Sequence, residues 1–169
     1  TAMSRFVLFL TIAALTACSS APPPDWAVNA QGGAERAVAA YLSGNTRVAR
    51  LEQERARAEV ASTAAPERLA RLELVFCALE VASAEFNPCP GYERLAQDAA
   101  APEQAYARYL LAQATATDAP LLPQAHRALI TSAADATRLS AVADPLSRLV
   151  AAGVLLRSGR ATPGVFTVA

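Results

Sequence analysis

Residues 66–86, PERLARLELVFCALEVASAEF, carry the strongest helical pattern in the chain. Pro66 suits the first turn of a helix, where its missing N–H would have no partner anyway. Large apolar residues then recur at helical spacing, at Leu69, Leu72, Phe76, Leu79 and Phe86. The stripe is widened by Leu74, Val75 and Val81. Such a broad apolar surface predicts a well-buried helix at the centre of the fold.

Capping residues divide the rest of the body into short helices. Gly44 is a suitable C-cap for a helix over 34–43, and Asn45 or Thr46 caps a second helix over 46–63. The stretch NPCPG at 87–91 is a strong break. Further helices are predicted over 92–100, 102–114, 118–132, 135–143 and 145–158, the last capped by Asp144. Residues 160–169 are predicted to form a tail with Phe166 docked on the body.

The chain is alanine-rich and poor in aromatic residues, which favours helix over strand. We therefore expect an all-α fold, an array or bundle of about six to seven short helices in one domain over 34–159. Two stretches resemble each other, ERAVAAYLSG from Glu35 and EQAYARYLLA from Glu103, 68 residues apart. That spacing is twice the tetratricopeptide period of about 34 residues. The body thus has a weak resemblance to tetratricopeptide repeats, and a generic array of helical hairpins is the alternative.

The charges are balanced, with 15 basic and 15 acidic residues, and every basic residue is arginine. No stripe of basic side chains is present that would gather phosphates. The sequence therefore gives nucleic-acid binding little electrostatic support.

The N-terminus has the three parts of a signal peptide. A short basic segment around Arg5 is followed by an apolar run over 6–15 and then by the small residues Thr16 and Ala17. The run is about half of the roughly 20 apolar residues that a transmembrane helix needs. We expect residues 1–17 to be a signal peptide.

The sequence Leu15-Thr16-Ala17-Cys18 resembles the lipobox of bacterial lipoproteins. That resemblance implies cleavage before Cys18, which would carry a diacylglyceryl group and an N-acyl chain, typically palmitate. Several acyl chains hold a protein on a membrane where a single chain does not. Because Ser19 is not aspartate, the family's sorting rule implies the periplasmic face of the outer membrane. The alternative is an ordinary signal peptide in which Cys18 is incidental.

Residues 18–33 are expected to be the lipidated N-terminus and a tether. Pro22 to Pro24 would stiffen this segment, and Gly32 and Gly33 would loosen its end. Trp26 within it is a candidate for a partner contact or a membrane-interface anchor, or for the first residue packed on the domain.

Cys77 and Cys89 are predicted to form a structural disulfide. If Cys18 carries lipid, an even number of cysteines remains in an oxidising compartment. The two Cα atoms must then lie within roughly 7 Å, so the central helix should stop by about Ala84. A free buried Cys77 or a redox-active pair are the alternatives, although the spacing is not C-x-x-C.

Signals for catalysis are few. The sequence lacks the motifs of nucleophile elbows, P-loops, dinucleotide turns and H-E-x-x-H metalloproteases. His126 is the only histidine, which argues against a zinc site, and it is expected to be a surface residue. Glu80 and Glu85 could form a carboxylate pair of the kind that glycosidases use. We expect neither a metal nor a cofactor apart from the lipid on Cys18.

Two functional hypotheses follow. The first is a protein-binding or scaffold accessory of an envelope complex, without enzymatic activity; it predicts an exposed apolar or tyrosine-lined patch. Candidate contact residues are Tyr41, Tyr106, Tyr109 and Trp26, for which core packing is the alternative. The second is a carboxylate-dependent peptidoglycan hydrolase, which predicts a cleft holding a buried carboxyl of raised pKa.

Overall fold

The computed structural model describes residues 22–131 and 136–169. Within these ranges the chain is helical and contains no strands, which confirms the predicted all-α array of helices. Ten helical segments are present in the described ranges, six of them of seven or more residues. Their bounds are α1 Asp25–Leu42, α2 Thr46–Ala61, α3 Pro66–Ala82, α4 Pro90–Glu93, α5 Ala101–Leu110, a 3₁₀ helix Ala116–Leu121, α6 Gln124–Thr131, α7 Ala136–Ser140, α8 Pro145–Arg157 and α9 Pro163–Val168.

Helices α1 and α2 form a hairpin that begins earlier than the sequence analysis predicted. Residues 25–33, which were assigned to the tether of 18–33, are the first half of α1. Gly33 is not a hinge but a packing residue, because a Cβ there would lie 3.3 Å from the Cβ of Ala56 on α2. Packing of Gly33 against Ala56 holds the first half of α1 on α2. The helical body therefore starts at Asp25 rather than at residue 34.

Helix α3 is the centre of the fold, as predicted, and packs against α1, α2, α4, α5 and α8. One side joins the α1–α2 hairpin through Leu72, Phe76 and Leu79. The opposite side joins a second apolar cluster with α5 and α8 through residues that include Leu74 and Val81. Two residues of the predicted stripe are exposed instead, Val75 on the open side of the helix and Phe86 beyond its end.

Helix α8 crosses α3 with its backbone almost in contact. A Cβ on Gly153 would lie 2.1 Å from the carbonyl oxygen of Val81. Val150 and Val154 of α8 pack into the cluster with α3, whereas Ala151 and Leu155 pack into a third cluster with α6, α7 and α9. The crossing therefore connects the C-terminal part of the chain to the central helix.

Local capping rules hold at several helix ends. The side chain of Asn45 accepts a hydrogen bond from the backbone N–H of Val48, and Asp144 accepts one from the backbone N–H of Ser147.

Two predicted helices differ from the structure. The helix predicted over 118–132 is divided in two, because Pro123 favours extended backbone at Leu122, where ψ is 158°. The helix predicted over 92–100 is reduced to the single turn of α4, followed by turns.

Cys77 and Cys89 are joined by a disulfide, with 5.3 Å between their Cα atoms. As predicted, α3 ends before Ala84, at Ala82, and Ala84 takes a left-handed φ of 60° that turns the chain back. A crosslink over so short a loop contributes about 2 to 3 kcal/mol to stability. It holds the loop over 83–89 against the end of α3.

The predicted tail over 160–169 contains a further helix, α9. Val165 of this helix is fully buried against α7 and α8, whereas Phe166 is 58% exposed. The prediction that Phe166 docks on the body is therefore wrong. Val165 is the residue that helix geometry turns inward.

The α3–α8 crossing yields a stability test. Gly153→Ala places a methyl group against backbone that cannot move aside, so we expect the free energy of unfolding to fall by about 1–3 kcal/mol in urea denaturation. Gly32→Ala is the matched control inside α1, since its Cβ would meet only the flexible end of Arg36. The control should be neutral or stabilising by up to about 1 kcal/mol. Equal stabilities of the two variants would contradict the crossing geometry.

Candidate functional site

An open cleft lies along the side of α3 that carries Arg71 and Val75. It consists of two adjoining hollows, of 350 Å³ and 190 Å³, which share Val75 of α3 and Tyr106 of α5. The larger hollow is bounded by Pro102, Leu121 and Pro123, and the smaller by Leu146, Val150 and His126. We call the two hollows together the α3 cleft.

The α3 cleft presents apolar surface to solvent. Val75 is 38% exposed and Leu121 is 39% exposed, and the half-buried ring of Tyr106 lies between the two hollows. Binding sites are commonly concave and apolar with a few polar groups at fixed positions. Here the polar groups include Glu103 and Arg71 in the larger hollow and His126, Asp144 and Ser147 in the smaller one.

Three aromatic rings support the wall of the cleft. The rings of Tyr106 and Tyr109 stack with their centroids 6.0 Å apart, and the His126 ring lies 4.8 Å from that of Tyr109. The Tyr109 hydroxyl is 3.1 Å from Nδ1 of His126. Burial raises the pKa of both tyrosines and lowers the pKa of His126 to about 4. Tyr109 therefore stays protonated and can donate its hydrogen to the neutral imidazole.

Burial of His126 corrects a prediction. The prediction that His126 lies on the surface is wrong, because the residue is 2% exposed. A histidine pays a desolvation cost when buried, and it is tolerated here because it is neutral and hydrogen-bonded to Tyr109.

The predicted contact residues lie in different places. Tyr106 lines the cleft, whereas Tyr109 is 3% exposed and belongs to the core, so it cannot form a contact surface. Tyr41 packs beside the cluster between α1, α2 and α3, with its hydroxyl buried and without a hydrogen-bond partner in the described chain. Trp26 packs on the domain, with the Arg68 guanidinium 4.9 Å from its ring centroid. Cys18 lies outside the described residues.

The buried carboxylates are all paired with arginine in the described part of the chain. They are Glu52, Glu73, Glu103 and Asp118. The Arg36 guanidinium lowers the pKa of Glu52, and the hydrogen bond from Arg108 lowers the pKa of Asp118 to about 2. In the cleft, the N-cap bond from Ser147 lowers the pKa of Asp144. A carboxyl group that acts as a general acid near neutral pH requires a raised pKa instead.

The carboxylate pair suggested for a hydrolase lies away from the cleft. Glu80 is half-buried and accepts a hydrogen bond from the side chain of Asn87, and Glu85 is exposed. In residues 22–131 and 136–169, no three His, Cys, Asp or Glu side chains gather as metal ligands. Among the helices described, none combines the length and apolar character needed to cross a bilayer.

Three residues of the cleft were not predicted from the sequence to be part of a site. They are Val75, Leu121 and Glu103. Val75 was assigned to the buried stripe, yet it lies four residues after Arg71 and seven after Arg68, on the line of the helix that those arginines mark as exposed. This register in the sequence is enough to predict that Val75 is exposed. Leu121 and Glu103 reach the cleft through tertiary packing, which no local pattern encodes.

Searches against family models, curated proteins and solved structures return no match for this chain. The tetratricopeptide resemblance consequently stays a prediction.

Burial of His126 predicts a pH-dependent stability. Its pKa in the folded state, about 4, lies below the ordinary value of 6.5, so the unfolded chain binds the proton first as pH falls. The stability that buried, neutral His126 contributes is fully present above about pH 6.5 and is lost as the pH falls towards 4. We expect the free energy of unfolding in urea to drop by about 2 kcal/mol between pH 7 and pH 5. His126→Gln, which does not titrate, should remove most of this drop. An undiminished pH dependence in that variant would count against the assignment.

Proposed function

We propose that the protein is an outer-membrane lipoprotein on the periplasmic side that binds a protein partner of the envelope through the α3 cleft. The observation that carries this proposal is the exposed apolar surface of the cleft at Val75 and Leu121. Val75 is exposed on a helix in which residues 72–74, 76–79 and 81 are buried, and burying it under a partner would be favourable. In this proposal the protein has a binding role and no catalytic one.

The proposed anchor is a lipid on Cys18, in keeping with the lipobox resemblance. The downward pKa shifts of Glu52, Asp118 and Asp144 favour the binding role over a carboxylate-dependent hydrolase. In this proposal the lipid anchors the protein in the membrane, and the α3 cleft contacts the partner.

Lipidation is tested by feeding labelled palmitate to a Gram-negative host that expresses the full chain. We expect the wild-type protein to incorporate the label and Cys18→Ala to lose it, because the acyl groups depend on that cysteine. The control is the double variant Cys77→Ser with Cys89→Ser, which should keep the label. Equal labelling of wild type and Cys18→Ala would contradict the proposed anchor.

Partner binding is tested by photo-crosslinking in intact membranes. A photoreactive amino acid replaces Val75 or Leu121 in the cleft, or Leu51 on α2 as a matched control. Leu51 is an exposed aliphatic residue that does not line the cleft. We expect both cleft positions to give an adduct of the same mass that position 51 does not give. The absence of an adduct at both cleft positions, or one shared with position 51, would rule out the cleft as the partner site.

A further inference from the structure

One of the four buried carboxylates is bonded differently from the other three. On Glu52 and Glu73, each oxygen accepts an N–H from an arginine side chain. Asp118 accepts from Arg108 and, on Oδ2, from the backbone N–H of Thr115. Glu103 differs because only one of its oxygens has a donor in the described chain.

The unpaired oxygen of Glu103 is Oε2. Arg71 directs both of its contacts to the other oxygen, with Nε at 2.7 Å and Nη2 at 2.6 Å from Oε1. The side chain of Glu103 is 6% exposed, and Oε2 is buried without a hydrogen-bond partner in the described chain. Leaving a buried acceptor without a donor is unfavourable, and native proteins rarely do so.

The side chain of Glu103 belongs to the wall of the candidate site. Glu103 lines the larger hollow of the α3 cleft, beside Pro102 and Tyr106. Arg71, its only partner among the described residues, has a side chain that is 75% exposed, so solvent already satisfies much of the arginine's charge. The hollow therefore combines apolar walls with an acidic group, one oxygen of which has no donor in the described chain.

We propose that Glu103 determines which partner the cleft accepts, by selecting a segment in which lysine or arginine lies beside an aliphatic or aromatic side chain. The apolar side chain fills the hollow against Tyr106, and the Glu103 carboxylate turns towards the hollow so that the cation donates to Oε2. A charged donor suits this site better than a neutral one, because charge-assisted hydrogen bonds to carboxylates are about twice as strong. This inference rests on the proposed function and specifies the chemistry of the partner.

The test is selection of random dodecapeptides displayed on phage, using the full-length protein purified from membranes in detergent. For the wild type, we expect selected peptides to contain Lys or Arg within two residues of a large apolar residue about tenfold more often than the starting library. Glu103→Gln should still select apolar peptides but lose the preference for Lys or Arg. The control is Glu93→Gln, an exposed acid outside the cleft, which should behave as wild type.

Arg71→Gln provides a second variant that acts in the opposite direction. It removes the only donor to Glu103 that the described part of the chain supplies, so the preference for a cation should strengthen, which a purely structural ion pair would not produce. Circular dichroism verifies that each variant is folded, and if Glu103→Gln does not fold, the Arg71→Gln comparison decides. The inference is overturned if wild type selects no Lys or Arg, if Arg71→Gln does not strengthen the preference, or if Glu103→Gln leaves it unchanged. Apolar peptides selected without a cation would still support the cleft as a binding site.

Discussion

The fold depends on helix α3 being covered on two opposite sides. Its residues Phe76 and Leu79 pack against the N-terminal hairpin, and Leu74 and Val81 pack towards α5 and α8. The second side can be covered closely because Gly153 lets the backbone of α8 approach the carbonyl of Val81. Covering two opposite sides does not enclose the whole helix, and the strip that carries Arg71 and Val75 stays uncovered. That strip is the floor of the α3 cleft, so the core and the candidate site share one helix.

Features set by neighbouring residues were predictable from the sequence. The central helix, the caps at Asn45 and Asp144, and the end of α3 before Ala84 follow from helical periodicity, capping chemistry and the reach of a disulfide. These rules act within a few residues, so tertiary packing did not override them. Tyr106 was the candidate contact residue that the structure places in the cleft.

Features that need knowledge of the packed fold were not predictable. Gly33 looks like a loosening residue until α2 is placed against it, and His126 looks like a surface residue until Tyr109 is its partner. Glu103 was noticed only as part of a repeat, because its relation to Arg71 spans 32 residues of sequence. Much of the candidate site therefore depends on long-range contacts, which a single sequence does not reveal.

The two-sided burial of α3 also constrains how the protein acquires its structure. Residues 66–82 precede residues 145–157 whenever the chain emerges from its N-terminus, so the α1–α2 hairpin can cover only one side of α3 at first. Contacts between segments so far apart in sequence form slowly and leave apolar surface exposed in the meantime. A chain that halts before α8 has emerged would expose that surface and would be a natural target for chaperones or proteases.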